Sequence, residues 1–371
     1  MINNPFSYGK TVDGPYFYGR EREMEEIRIS MQNATNMILY APRRIGKSSL
    51  VIKVLKELEA AGHPVVYIDL FKVSSREKFI ELYAREVVRG MKNWEKGIQW
   101  IQGVIRGIEP VMGLDHAGMP ELRLSIDPLQ SARAFEDILN IPARSKRDKC
   151  WVVVFDEFQE IEKLGGADFE KELRASLQHH KNAAYLFLGS QRHMLLNMFS
   201  RKERAFYNFG KLYHLDKPPV ADSVAFVTRR FAAGGYDIDE LMAQKMVEQT
   251  RNIPYYLQYL GAEIWESARL SGKTPGEVYA EALDRLLINQ GDYFQGIRSQ
   301  LTPFHVKLLT AVAINGAGSY ESEFLQKFRL FPASSIQKAY ARMIDLDILE
   351  KRENRFCITD PFFEIWIKHQ S

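Results

Sequence analysis

The chain has 371 residues, 46% hydrophobic and 26% charged, with 50 basic and 47 acidic side chains giving a net charge of +3. That composition excludes disordered and fibrous classes and is enough for two or three globular domains. Two cysteines, Cys150 and Cys357, stand apart from any CxxC or Cys/His cluster, so neither a disulfide framework nor a zinc site is expected.

The start, Met1-Ile2-Asn3-Asn4-Pro5, has no basic segment leading into an apolar one, and no apolar run reaches the roughly 20 residues of a membrane span. A cytoplasmic chain without membrane contact is expected. From about Asn36 to His214, short apolar runs alternate with helical periodicity: Met37 to Tyr40, Val65 to Leu70, Trp151 to Phe155, Tyr185 to Leu188 and a weaker Leu212 to Leu215. This predicts an α/β domain with a mostly parallel sheet covered on both faces. The unbroken Val152-Val153-Val154-Phe155 reads as a central strand.

Between Ile98 and Lys149 the rhythm breaks. Gly113, Gly118, Pro120 and the alternating Leu122 to Ile126 predict an inserted hairpin, followed by a helix over about Leu129 to Leu139. After Asp216-Lys217-Pro218-Pro219, helical patterns follow at Val220 to Ala233, Ile238 to Gln249, Tyr255 to Leu270 and Pro275 to Asn289. From Leu301 the pattern becomes two short helices, a helix capped by Ser334-Ser335, and two short apolar runs, Ile348 to Glu350 and Phe356 to Ile358, around a polar turn. That is the order of a winged helix. The expected domains are residues 1–216, a helical lid at 217–295 and a winged helix at 296–371.

The chemistry sits first in Ala41-Pro42-Arg43-Arg44-Ile45-Gly46-Lys47-Ser48, between the strand at Met37 and a helical run from Leu50. The match is to GxxxxGK[ST], with Ala41 in place of the first glycine. Within Pro42 to Ser49, the consecutive backbone N–H groups that follow the proline and the helix amino end would wrap phosphates. Lys47 would neutralise the β and γ phosphates, and Ser48 would place its hydroxyl on magnesium.

The second half is Trp151 to Phe155 running into Asp156-Glu157, a Walker B element. Asp156 would hold the metal through water, and Glu157 would polarise the attacking water. The strand from Tyr185 leads to Ser190, Gln191 and Arg192 at the same carboxyl edge. Any of the three could sense the γ-phosphate; Arg192 is favoured and joins Glu157 and Lys47 as a candidate catalytic group. Arg201 and Arg204 fit either an arginine finger or a solvated helix face.

Taken together the chain resembles an AAA-type P-loop ATPase of the archaeal-ATPase family, related to the STAND group and more distantly to origin-recognition ATPases. The marks are Asn4-Pro5-Phe6, Phe17-Tyr18-Gly19-Arg20-Glu21-Arg22-Glu23, Pro42 to Ser48, Phe155-Asp156-Glu157-Phe158-Gln159, Ile253-Pro254-Tyr255-Tyr256-Leu257 and Thr359-Asp360-Pro361. The resemblance implies ATP/ADP and Mg2+ as ligands, with Val12, Phe17 and Gly19 near the adenine. Arg20 and the acids after it read equally as surface ion pairs.

The family's lid usually carries glycine before the proline, where this chain has Thr250-Arg251-Asn252-Ile253-Pro254. Two readings stay open: Arg251 as a second sensor, or contact through backbone and Pro254 alone. The winged helix would offer Gln337, Lys338 and Arg342 on its recognition helix and Lys351, Arg352 and Arg355 in its wing. Yet Leu301 to Ser371 holds nine basic and eight acidic residues, too balanced for tight binding by counterion release. The expected function is an ATP-hydrolysing molecular switch of slow or partner-stimulated turnover. The alternatives are an ATP-regulated DNA-binding protein and a regulator of a protein partner, with a homo-oligomer compatible with each.

Overall fold

The computed structural model describes residues 3–90, 99–101, 103, 105, 108–114, 120–126, 130–144, 148–331 and 333–370. Its strands, in chain order, are β1 (Met37–Tyr40), β2 (Val65–Asp69), β3 (Ile108–Leu114), β4 (Pro120–Ile126), β5 (Trp151–Asp156), β6 (Ala183–Gly189), β7 (Lys211–His214), β8 (Leu349–Arg352) and β9 (Arg355–Ile358). The chain divides into two compact units, Thr11–Lys217 and Met1–Lys10 with Pro218–Ser371.

In the first unit, five strands pair in parallel in the order β2-β5-β6-β1-β7. Every residue of β5 and β6 is buried, which is why these strands lack polar alternation: helices cover both faces. One face is filled by packed aromatics, Phe79, Phe155, Phe158, Phe187, Phe199 and Phe206 among them. Strand order reverses on either side of β1, so the carboxyl ends of β1, β5 and β6 meet at the crevice where open α/β sheets bind ligands.

The insertion forms the antiparallel hairpin β3–β4, Ile108 opposite Ile126 and Leu114 opposite Pro120, followed by a helix at Ser131–Leu139. Ile98, Gly118 and Leu129 of that expectation lie outside the described residues. The helix packs Phe135 against Phe79 of the helix Arg76–Arg89, ring centroids 5.3 Å apart.

The second unit contains the helices Val220–Ala233, Glu240–Gln249, Pro254–Ser271 and Pro275–Asn289, then Gly291–Ser299, which the sequence pattern did not reveal. Pro303–Asn315, Ser322–Lys327 and Ala333–Asp345 follow, with the antiparallel wing β8–β9 and a closing helix Pro361–His369. The third of these starts at Ala333, so Ser334 and Ser335 lie inside its first turn and are not its cap.

This unit also takes in the amino-terminal segment. Phe6 inserts between Phe226 and Phe231, its centroid 5.0 Å from the latter, in space left open by Gly261. Asn4 Nδ2 donates to the Ala262 carbonyl (3.3 Å) and to Glu266 (2.9 Å), and the Ser7 amide donates to Gln258 Oε1 (3.1 Å). Asn4-Pro5-Phe6 is therefore a plug in a helical socket. Among the described residues no helix is long and apolar enough to cross a membrane.

Candidate functional site

β1 ends at Tyr40, and the loop it feeds turns through Arg44 at φ 70° and Gly46 at φ 94°. Only glycine accepts the latter without strain. Ala41 is fully buried and is not among the residues with positive φ, so the missing first glycine costs no backbone strain. Pro42, Arg43 and Arg44 are exposed and Ile45 is buried. The helix Lys47–Ala60 begins without any side-chain cap on its amino end, the arrangement that leaves helix amides for an anion.

Lys47 is 7% exposed, and among the described residues its ammonium has no hydrogen-bond partner, lying 3.7 Å from Asp156 Oδ1 and 3.5 Å from Glu157 Oε1. A buried ammonium without a bonded acceptor leaves donors to spare, and that suits a phosphate. Ser48 Oγ donates to Asp156 Oδ2 (3.3 Å). The two halves of the motif, more than 100 residues apart in sequence, therefore meet.

Asp156 is 5% exposed, and both of its oxygens are engaged: the Glu157 amide donates to Oδ1 (2.9 Å), and the Tyr67 hydroxyl and Ser48 donate to Oδ2. Glu157 follows at φ 50°, a left-handed turn that swings its carboxylate over the sheet edge. There Gln159 Nε2 (2.6 Å), Ser190 Oγ (2.9 Å) and the Ser190 amide (3.3 Å) all donate to Oε2. Burial pushes the Glu157 carboxyl up, but the Lys47 charge and the Gln159 and Ser190 hydrogen bonds outweigh it and hold it below the usual range.

Of the three residues after β6, Ser190 is thus on Glu157. Arg192 occupies the first position of the helix Arg192–Ser200, and its side chain falls outside the described residues. Arg204 is held by the buried Glu170 and the exposed Glu162, which makes it part of an ion cluster within this chain.

The segment before β1 lies against the phosphate loop and its helix. The Val12 amide donates to Ser49 Oγ (3.1 Å), and Lys53 Nζ sits 4.5 Å from the Phe17 ring centroid. Gly19 turns at φ 62° into Arg20. The reading of Arg20 as a surface ion-pair residue is overturned: it is 3% exposed, pairs with Glu23 (2.8 Å) and donates through Nη2 to the Ile45 carbonyl (3.3 Å). It supports the phosphate loop from behind. Pro254 lies in the other unit, at the first position of the helix Pro254–Ser271.

Sequence reasoning missed Tyr67, Gln159 and the role of Arg20. Gln159 sat inside the quoted Phe155 to Gln159 motif, two residues after Glu157, and was the one recoverable signal.

Among the described residues no group of three or more His, Cys, Asp or Glu side chains could hold a metal. A cation here would rely on a hydroxyl and a carboxylate with phosphate oxygens and water, as magnesium does. Ser48 and Asp156 fit that role.

A parallel sheet with this loop and these acids defines a P-loop nucleotide-binding ATPase fold. The sequence profile described as the ATPase domain predominantly from Archaea matches residues 17–206, more than half of the chain, and the protein belongs to that family. Residues 292–369 match a profile described as a probable winged helix domain. In fold the chain is similar to a Walker-type ATPase of Pyrococcus abyssi, at 18% identity and TM-score 0.64 over 95% of this chain and 96% of that one. It is also similar to the ORC2 protein of Aeropyrum pernix in its ADPNP and ADP complexes, at 12% identity and TM-score 0.57 over 98% and 99%. No curated protein sequence matches the chain.

Proposed function

We propose that the protein binds ATP with magnesium on the Pro42–Ser49 loop and hydrolyses it slowly, as a molecular switch. The observation that carries this reading is the convergence of Lys47, Ser48, Asp156 and Glu157 at one sheet edge, with Lys47 within 3.7 Å of both acids.

Loop amides and Lys47 bind and orient the phosphates. The Ser48 hydroxyl and the Asp156 carboxylate would hold magnesium, which when bound neutralises charge on the β and γ phosphate oxygens. Glu157, kept ionised by its donors, takes a proton from the attacking water. Val12, Phe17 and Gly19 form the nucleoside side of the site. Residues 217–295 read as a lid and 296–371 as the output module, whose reorientation after turnover would be the switch.

ATP turnover by wild type, Lys47→Ala and Glu157→Gln, measured across protein concentration, tests this. Lys47→Ala should lose nucleotide binding. Glu157→Gln should retain binding and lose roughly 10²- to 10⁴-fold in turnover. Undiminished turnover in Glu157→Gln would remove the assigned base. A rise of specific activity with concentration would support a homo-oligomer.

A second reading, ATP-regulated DNA binding, draws on the winged helix. Gln337, Lys338 and Arg342 are exposed on one face of the helix Ala333–Asp345 while Ile336, Ala339, Tyr340 and Met343 are buried, and Lys351, Arg352 and Arg355 are exposed in the wing. Duplex binding with and without ATP at two salt concentrations separates it from regulation of a protein partner: salt-sensitive binding supports DNA.

A further inference from the structure

Tyr67 is on the edge strand β2, where Asp69 pairs with Asp156 and Tyr67 with Val154. Side chains two residues apart on a strand share a face, and an aromatic can reach the diagonal neighbour on the next strand. Tyr67 does so: its hydroxyl donates to Asp156 Oδ2, the oxygen that also accepts from Ser48.

The acceptor count gives the bond its meaning. Asp156 takes the Glu157 amide on Oδ1 and two hydroxyls on Oδ2. Of these, Ser48 is the donor whose hydroxyl would turn to the metal, and the Glu157 amide is tied to the backbone. Tyr67 is left as the side chain that fixes the plane of the carboxylate. The ring is half-buried and forms part of the wall of a cleft of about 340 Å³ with Leu55, Val65 and Leu82. Removing the oxygen alone therefore leaves its packing in place.

From this geometry we infer that Tyr67 is a positioning residue for magnesium, holding the Asp156 carboxylate in the orientation that accepts the hydrated ion beside Ser48. The inference rests on the proposed ATP–magnesium reading. Groups that orient a metal's ligands typically change its affinity by about 10- to 100-fold when removed.

The test is equilibrium binding of a fluorescent ADP analogue to full-length wild type, Tyr67→Phe, Asp156→Asn and the double variant, titrated with MgCl2 and repeated in EDTA. Tyr67→Phe should melt close to wild type and bind the analogue equally in EDTA, yet need about tenfold more magnesium for the metal-dependent tightening. On the Asp156→Asn background it should change nothing further. Equal magnesium dependence of Tyr67→Phe and wild type would overturn the role of Tyr67 alone. A loss of equal size with and without metal would also overturn it, since that is what a packing role produces. A wild type whose nucleotide binding ignores magnesium would overturn the underlying reading as well.

Discussion

Ser190 Oγ donates a 2.9 Å hydrogen bond to Oε2 of Glu157, joining the end of β6 to the end of β5. The same oxygen accepts from Gln159, and the opposite side of the carboxylate faces Lys47 at 3.5 Å. All three favour the ionised form, the only one able to take a proton from water. Activity that depends on Glu157 as base is present above its folded pKa and lost as pH falls through it. Because that pKa is held below the usual carboxylate range, activity should persist into mildly acidic solution. Ser190→Ala removes one of the donors, so the acid limb of kcat against pH should move to higher pH, with Gln159→Leu moving it the same way. An unmoved limb in both variants would exclude Glu157 as the titrating base.

Arg20 should matter to nucleotide binding without touching nucleotide. Its guanidinium is buried, and it satisfies the Ile45 carbonyl one residue before Gly46. Arg20→Met leaves that carbonyl short of a partner and Glu23 without its cation, a cost of about 1–3 kcal/mol in unfolding free energy. The loop should also lose its fixed shape, weakening ATP affinity severalfold, with Arg20→Lys restoring only part of it because an ammonium cannot fork between the two acceptors. Thermal melts and nucleotide titrations measure both effects. Stability lost with affinity unchanged would separate Arg20 from the loop.

The sheet and the phosphate loop were legible because their signals are local. An apolar run such as Val152 to Phe155 can be buried on both faces only in a central strand, and Gly46-Lys47-Ser48 sits at a strand-to-helix turn. Two of the partners of Glu157 and Asp156, Ser190 and Tyr67, carry no such mark. Ser190 comes from a strand that pairs with β5 only once the sheet has formed, and Tyr67 reads as an ordinary strand aromatic until β2 lies beside β5. Arg20 was misjudged for the same reason: an arginine followed by acids has the pattern of a solvated face, and only tertiary packing turns it inward. The capping serines failed on a smaller scale, since any of several adjacent residues can start a helix and here Ala333 does.

The plug formed by Phe6 gives a prediction about stability. Gly261 lies inside the helix Pro254–Ser271, where alanine is ordinarily favoured by about 1 kcal/mol. Here an added Cβ would stand 2.5 Å from the Phe6 ring. Overpacking of that kind costs about 1–3 kcal/mol, so Gly261→Ala should lower the melting temperature. Phe6→Ala should cost more, about 3–5 kcal/mol, through the cavity it leaves. Since the clash disappears with the ring, the double variant should be less destabilised than the sum of the two. Strict additivity in the melts would show that Phe6 does not occupy this socket in solution.

Arg251 tests the two lid readings against each other. It and Asn252 adopt left-handed φ values of 52° and 56°, and such backbone costs a non-glycine residue about 1–2 kcal/mol. The strain is offset within the second unit: Asn252 Nδ2 donates to the Pro218 carbonyl (2.7 Å), while Arg251 donates to the Ile358 carbonyl and pairs with Glu364. Both acceptors belong to the winged-helix region, so the guanidinium is engaged in tying that region to the turn before Pro254. Arg251→Met should then cost about 1–3 kcal/mol in stability, less than a fully orphaned buried charge would, because Lys368 still pairs with Glu364 at 2.7 Å. ATP affinity should stay within about twofold, a change of roughly 0.4 kcal/mol. A second sensor would behave the opposite way, with ATP affinity falling tenfold or more and ADP affinity barely moving, since a sensor of the γ-phosphate distinguishes the two. Parallel titrations of ATP and ADP against wild type and Arg251→Met decide between a structural tie and a nucleotide contact.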